Sequence, residues 1–275
     1  MKSINIDGTL IDFDHPRVMG IINITPDSFF QGSRVSQIDD IVSKGTEMVK
    51  QGTTFLDLGG YSSRPGSTDI TIEEELTRVI EPITEVRKQI PEAIISVDTF
   101  RAVVAAKAIE AGAHMVNDIS GGHLDSDMLG VVGALKVPYV AMHMRGNPQN
   151  MTEKASYQDL MKEMMMYFSD LLEAAQRFGI KDLIMDPGFG FAKTVDHNFE
   201  LLQKMSLLEH FERPILVGVS RKKMIQKTLD VRSEEALNGT TVLNTLALLQ
   251  GASILRVHDV KEAVEVVKLI DKYKN

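Results

Sequence analysis

The chain is 275 residues long, carries a net charge of −8 and contains no cysteine. That composition excludes disulfides, thiolate nucleophiles and Cys-type zinc sites, and an acidic balance without a long basic run argues against bulk binding to nucleic acid or to an anionic membrane. The length suits one domain, residues 1–275, with a large core; no apolar stretch reaches membrane-spanning length and Met1–Arg17 has no leader pattern, so a soluble, cytoplasmic protein is expected.

In chain order, Ile4-Asn5-Ile6 and Thr9-Leu10-Ile11 flank Asp7-Gly8, two residues that tolerate positive φ, which predicts a β-hairpin. From Val18 onward, short apolar runs end in polar residues or glycine. Val18–Ile24 contains Asn23, Phe55–Leu58 opens into Gly59-Gly60, Ile94–Val97 ends in Asp98, and Met115-Val116 runs into Asn117-Asp118. Tyr139–Met142 leads to His143, Leu183–Met185 to Asp186, Ile215–Val219 to Ser220-Arg221-Lys222, and Ile254–Val257, carrying Arg256, to His258. Amphipathic stretches predict helices over Asp39–Gln51, Thr71–Lys88, Arg101–Ala111, Tyr157–Phe178, Ser233–Gln250 and Lys261–Tyr273, with Thr71 and Glu74 forming a capping box. The methionines between Met161 and Met166 read as helix packing. Eight strand-type runs alternating with helices predict an α/β fold, the (β/α)8 TIM barrel. The hairpin plugs its bottom and the polar groups gather at the C-terminal strand ends.

Three loops carry unusual chemistry. Asn23–Arg34 is long and mixes exposed aromatics with polar groups, the composition of a lid. Gly59–Ser67 combines glycines, hydroxyls and Arg64, which suits either closure over a phosphate or a solvated turn. Ser220-Arg221-Lys222 and Arg256-Val257-His258 follow the seventh and eighth strands, the customary anion site of this architecture. Asp98, Asn117 and Asp186 point to a planar heterocycle, because a carboxylate offers two adjacent acceptors to a ring N–H and an exocyclic amine. For Asp98 a helix N-cap is the competing role, and for Asp118, His143 and His197 supporting or capping duty competes with ligand contact. Lacking Cys and any close HxxxH or HxH pair, the chain gives no pattern for tight zinc.

Met19–Phe29, Asp57–Gly66, Ser96–Thr99, Val116–Asp118, Met142–Met144, Met185–Phe191, Val219–Lys222 and Arg256–His258 together, in that order, resemble the dihydropteroate synthase family of folate biosynthesis. The resemblance implies condensation of 6-hydroxymethyl-7,8-dihydropterin pyrophosphate with p-aminobenzoate, releasing pyrophosphate. It assigns Asp98, Asn117, Asp186 and Lys222 to the pterin ring and Asn23 to a Mg²⁺ on the pyrophosphate. Arg64, Arg256 and His258 would share the pyrophosphate charge; with Asp98 and Lys222 these make up the implied catalytic set. Ser63 would contact phosphate or aminobenzoate, Phe191 and Pro65 would wall the benzoate ring, and Thr25, Pro26, Asp27, Ser28 and Phe29 would close with Pro65 over the site. A homodimer is implied, with Ala236–Leu249 as an apolar face. Tyr61 stands where the family commonly has Glu, and Phe30-Gln31 replaces its usual Ser-Asp, which puts loop closure and sulfonamide response in question. A corrinoid-linked methyltransferase barrel would share the Asp and Asn residues but has no need of Arg64, Arg256 and His258. A non-catalytic pterin-binding paralogue is the second alternative.

Overall fold

The computed structural model describes residues 2–24, 34–63 and 68–274. The chain opens with β1 (Ser3–Ile6) and β2 (Thr9–Asp12), paired antiparallel with Ile6 opposite Thr9. Asp7 and Gly8 at the turn both have positive φ, 49° and 87°, and the Asn5 carboxamide oxygen accepts the Gly8 N–H at 2.7 Å.

Then strands and helices alternate: β3 (Arg17–Asn23), α1 (Arg34–Gln51), β4 (Phe55–Gly59), α2 (Ile72–Gln89), β5 (Ile94–Asp98), α3 (Ala102–Glu110), β6 (Met115–Asp118) and α4 (Met128–Leu135). The second half continues with β7 (Tyr139–Met142), α5 (Leu160–Arg177), β8 (Leu183–Asp186), α6 (Val195–Lys204), β9 (Leu216–Val217), α7 (Lys223–Leu229), α8 (Leu237–Leu249), β10 (Ile254–Val257) and α9 (Val260–Lys274). Among the described residues, eight parallel strands lie in the order β8-β7-β6-β5-β4-β3-β10-β9. A parallel bridge between Met185 and Ile215, with the Met185 N–H on the Pro214 carbonyl at 2.9 Å, brings β8 against β9 and closes the barrel.

Strand side chains alternate between the barrel interior and the helix layer. Met19, Phe55, Met115, Val140, Ile184, Leu216 and Ile254, all in the N-terminal halves of their strands, form one buried layer with Ile4 and Ile6 of the hairpin. The expected bottom plug is therefore present. The larger core lies between the outer strand faces and the helices. Met161 and Met164 are buried in it, so the methionine cluster packs as expected, with Met166 left exposed.

Helix boundaries moved where tertiary packing or local caps outweighed the pattern. The expected helix over Ser233–Gln250 is a 3-10 turn, Ser233–Glu235, followed by α8 from Leu237. The one expected from Tyr157 begins at Leu160, because the Asp159 carboxylate accepts the Lys162 N–H at 3.0 Å and caps it. Thr71 caps α2 as expected, accepting the Glu74 N–H at 3.2 Å, but the Glu74 carboxylate pairs with Arg78 instead of completing the box. Helices α4, α6 and α7 had no counterpart in the sequence expectations. No described helix is long and apolar enough to cross a membrane.

Candidate active site

At the C-terminal mouth, parallel register sets a row of functional positions. Asn23 pairs with Gly59, Gly59 with Asp98, and Asp98 with Asn117, across β3 to β6. Gly59 is the gap in this row: a Cβ there would lie 3.1 Å from the Cβ of Asp98. One step deeper, Asp57 and Ser96 are register partners and both are fully buried.

From β10 the Arg256 guanidinium spans these two levels, with Nε 2.6 Å from Asp57 Oδ2 and Nη2 2.6 Å from Asp98 Oδ2. Asn117 Nδ2 donates to the same Asp57 oxygen at 3.0 Å. Burial pushes the Asp98 carboxyl up to about 7, against the pull of Arg256 and with help from Asp57, Glu75 and Asp118. For Arg256, burial favours the neutral form, but Asp57 and Asp98 outweigh it and hold the guanidinium above its ordinary range. Asp57 Oδ1 and Ser96 Oγ, both buried, have no hydrogen-bond partner among the described residues.

The opposite wall comes from β8 and the loop after β9. Asp186 ends β8 and accepts the Gly188 N–H at 2.7 Å; burial raises its carboxyl, opposed by Lys222. Lys222 stands at the N-cap of α7 and sends its ammonium to the Phe189 carbonyl, 4.8 Å from the centre of the Phe191 ring. Burial brings Lys222 down to about 8, with Asp186 and Asp98 pulling the other way. His258 Nδ1 lies 3.0 Å from Ser220 Oγ, and the His258 backbone N–H donates to that hydroxyl oxygen at 3.2 Å. The Ser220 proton is thus free to point at Nδ1. Burial and then Arg256 take His258 down to about 4, so it enters the site as a neutral ring rather than a cation, with Nε2–H as its donor where Ser220 gives its proton to Nδ1.

The mouth thus offers carboxylates and an amide along one side, a lysine beside an aromatic ring on the other, and an arginine between them. Residues 19–258 match the family model described as "Pterin binding enzyme". The chain belongs to the pterin-binding enzyme family. Over 272 residues it is 42% identical to the dihydropteroate synthase of Escherichia coli K12, covering 96% of this chain and 94% of that protein. The Yersinia pestis dihydropteroate synthase, solved with a sulfonamide drug, superposes with a TM-score of 0.93 at 37% identity, covering 99% of both chains. The Xanthomonas albilineans dihydropteroate synthase with 4-aminobenzoic acid gives 0.92 at 36% identity, covering 99% of this chain and 98% of the other.

In this pterin-binding enzyme the structure brings together Asn23, Asp98, Asn117, Asp186, Phe191, Lys222, Arg256 and His258 around one mouth, and places Ser63 just beyond the end of β4. Arg64, Pro65, Thr25, Pro26, Asp27, Ser28 and Phe29 lie outside the described residues, as do Phe30 and Gln31. Asp98 does not cap α3: Arg101 holds that position without a side-chain bond, and the Ala102 N–H goes to Asp125 at 2.7 Å. His197 is a capping residue, exchanging bonds with Thr194 at the start of α6. Asp118 is structural, accepting from Ser120, Gly122 and the Tyr139 hydroxyl. Tyr61 is a buried anchor, its ring edge-on to Phe100 at 4.9 Å and its hydroxyl accepting from Gln149 at 3.0 Å.

Three residues had no role assigned from the sequence. Asp57 opens one of the segments that carry the resemblance, but as a lone charge in the apolar run Phe55–Leu58 it gave no sign of its bond to Arg256. Glu75, fully buried on α2, binds Thr99 at 2.6 Å and Arg101 at 2.9 Å behind the Asp98 strand end. Lys193, in the loop after β8, has its ammonium 3.0 Å from His143 Nδ1.

Proposed function

We propose that the mouth performs the dihydropteroate synthase reaction, joining 6-hydroxymethyl-7,8-dihydropterin pyrophosphate to p-aminobenzoate with release of pyrophosphate. The observation that carries this reading is the bridge from Arg256 to Asp57 and Asp98 beside Asn117, facing Asp186 and Lys222. Asp98, Asn117 and Asp186 would take the donor-rich edge of the pterin, each carboxylate accepting two neighbouring N–H groups. Breaking the methylene C–O bond leaves positive charge on carbon and negative charge on the departing pyrophosphate. Asp98, ionised, would stabilise the first; Arg256, Arg64 and the Nε2–H of His258 would receive the second. Phe191 and the Lys222 stem would wall the benzoate ring, whose aniline nitrogen attacks the carbocation with no enzyme nucleophile or strong base; the acidic anilinium so formed gives its proton to the released pyrophosphate or to water.

Asn23 fits a magnesium ion carried by the substrate. Its amide oxygen is a hard ligand at the strand end, and no group of three His, Asp or Glu among the described residues forms a preformed cage. When bound, the ion would neutralise pyrophosphate oxygens. A homodimer is part of the same reading, supported by Val242, Leu246 and Leu249, one exposed face of α8 at 50%, 42% and 45%, continued by Leu229 at 51% on α7. The deciding experiment is mass spectrometry of the products formed from the two substrates with and without Mg²⁺. Dihydropteroate with equimolar pyrophosphate supports the reading. Pterin binding without product would move the chain to the non-catalytic paralogue.

A further inference from the structure

Lys193 lies in the loop that leaves β8 for α6, in a segment of glycines and phenylalanines, yet it is buried. Its ammonium lies 3.0 Å from the Gly188 carbonyl, 3.1 Å from the Phe191 carbonyl and 3.0 Å from His143 Nδ1, with the His143 carbonyl further off at 3.5 Å. An ammonium has three protons, so the three short contacts use all of them. Two of these acceptors are the two ends of the turn 188–191, and the third belongs to the loop after β7. Gly188 has φ +72°, and a Cβ there would fall 2.1 Å from the His143 carbonyl, so the turn is pressed directly onto that neighbouring loop.

The ends of this turn do different work. Its first end is fixed twice over, because Asp186 belongs to β8 in register with Met142 and also accepts the Gly188 N–H. Its second end carries the Phe191 ring that packs on Lys222, and among the described residues no barrel strand pairs with it. Side chains hold it instead: Asn198 Oδ1 accepts the Gly190 N–H at 2.7 Å and the Tyr157 hydroxyl donates to the Ala192 carbonyl at 3.0 Å, on either side of the Phe191 carbonyl that Lys193 takes. The Phe191 N–H goes to the Gly188 carbonyl at 3.1 Å within the turn itself, and the Phe191 carbonyl goes to Lys193.

We propose that Lys193 is a positioning residue for the second substrate: its buried ammonium clamps the turn 188–191 onto His143 and thereby sets the Phe191 ring against Lys222. This rests on the dihydropteroate synthase reading of the mouth. The clamp also fixes a tautomer, because an ammonium donating to Nδ1 leaves the His143 proton on Nε2. The charged neighbours agree with a neutral ring there. Burial first, then Lys193 and Arg145, bring His143 down to about 2. Burial lowers Lys193 itself to about 7, Lys222 and Arg145 push the same way and Asp186 pulls it back up, so the ammonium with its three donated bonds is the clamping form on the acid side of neutrality.

Two measurements test the clamp. In steady-state kinetics, Lys193→Met raises KM for p-aminobenzoate about tenfold, the worth of one charge-assisted hydrogen bond, while KM for the pterin pyrophosphate stays within about twofold. Equal rises in both KM values, or no rise in an active Lys193→Met protein, overturn the proposal. The second measurement needs no variant: ¹⁵N NMR of the wild-type protein reads the His143 ring. A neutral ring protonated on Nε2 on the acid side of neutrality, where Lys193 is an ammonium, supports the clamp, and a proton on Nδ1 or an imidazolium overturns it, even if Lys193→Met does not fold. Failure of the wild-type protein to make dihydropteroate removes the proposed function instead, and leaves the His143 spectrum to judge the clamp.

Discussion

Replacing Asp57 by asparagine preserves the shape of the deepest acceptor in the mouth and removes its charge. Asp57 Oδ2 receives Arg256 Nε at 2.6 Å and Asn117 Nδ2 at 3.0 Å in a fully buried position. Arg256 keeps its second bond to Asp98, so the full cost of an orphaned buried cation does not arise; exchanging the carboxylate acceptor of the guanidinium for an uncharged amide oxygen costs about 2 kcal/mol, readable as a shift in the denaturant midpoint. The more informative effect is on Asp98. Its carboxyl is held at about 7, and Asp57 is one of the charges raising it. In the wild-type protein, kcat/KM for the pterin substrate is expected to fall as pH drops through neutrality, because a protonated Asp98 offers fewer acceptors. Asp57→Asn removes a repelling charge and leaves Arg256 to Asp98 alone, so the acid limb moves to lower pH. The assay is kcat/KM from about pH 5 to about pH 9, where such a limb reports the free enzyme's acid. A limb that stays put, or moves up, refutes the assignment of Asp98 as the titrating group and the coupling through Arg256. Stability carries the matching sign. Folding raises this carboxyl from 3.8 to about 7, so the native state binds the proton more tightly and loses stability as pH rises across that interval.

Arg64→Ala is expected to raise KM for the pterin pyrophosphate about tenfold while binding of the free pterin is kept, measured by kinetics beside calorimetry with the alcohol; unaltered kinetics would remove Arg64 from the pyrophosphate site. Ile4→Ala empties part of the layer under the barrel and costs about 3 kcal/mol in chemical denaturation, with activity per folded molecule unchanged because the mouth lies at the other end. Leu246→Glu places a charge in the middle of the exposed α8 face, and light scattering after size exclusion should show a dimer becoming a monomer; a wild-type monomer would discard the dimer.

The barrel was legible because each strand announces its own end. Asp98, Asn117 and Asp186 stand where an apolar run stops, so strand polarity and the functional mouth could be read together. Helix α4, Met128–Leu135, escaped because Met128-Leu129-Gly130-Val131-Val132-Gly133 is apolar on every side and carries two glycines, leaving no amphipathic stripe. Lys193 was illegible for a different reason: a lysine after Gly-Phe-Ala reads as a solvated loop, and its burial depends on the approach of His143 from fifty residues away. The state of His258 was hidden too, since it is enclosure and the neighbouring Arg256 that lower it, and neither can be read from its place in the chain.

Arg256 also bears on how the chain assembles. Strand β10 is inserted between β3, the first barrel strand, and β9, so the ring of strands cannot close until the last strand of the chain arrives. The guanidinium that bridges Asp57 and Asp98 travels on that same strand. A nascent chain that has emerged only as far as Gln250 therefore holds two neighbouring acids with no arginine between them and a β3 edge with no partner from β10. Ring closure and neutralisation of the pocket therefore depend on the same strand. Any lesion that delays β10, such as a bulky residue at Gly251, where φ is +92° and a Cβ would meet Glu209 at 2.5 Å, is expected to lower the yield of competent protein more than the activity of what does mature.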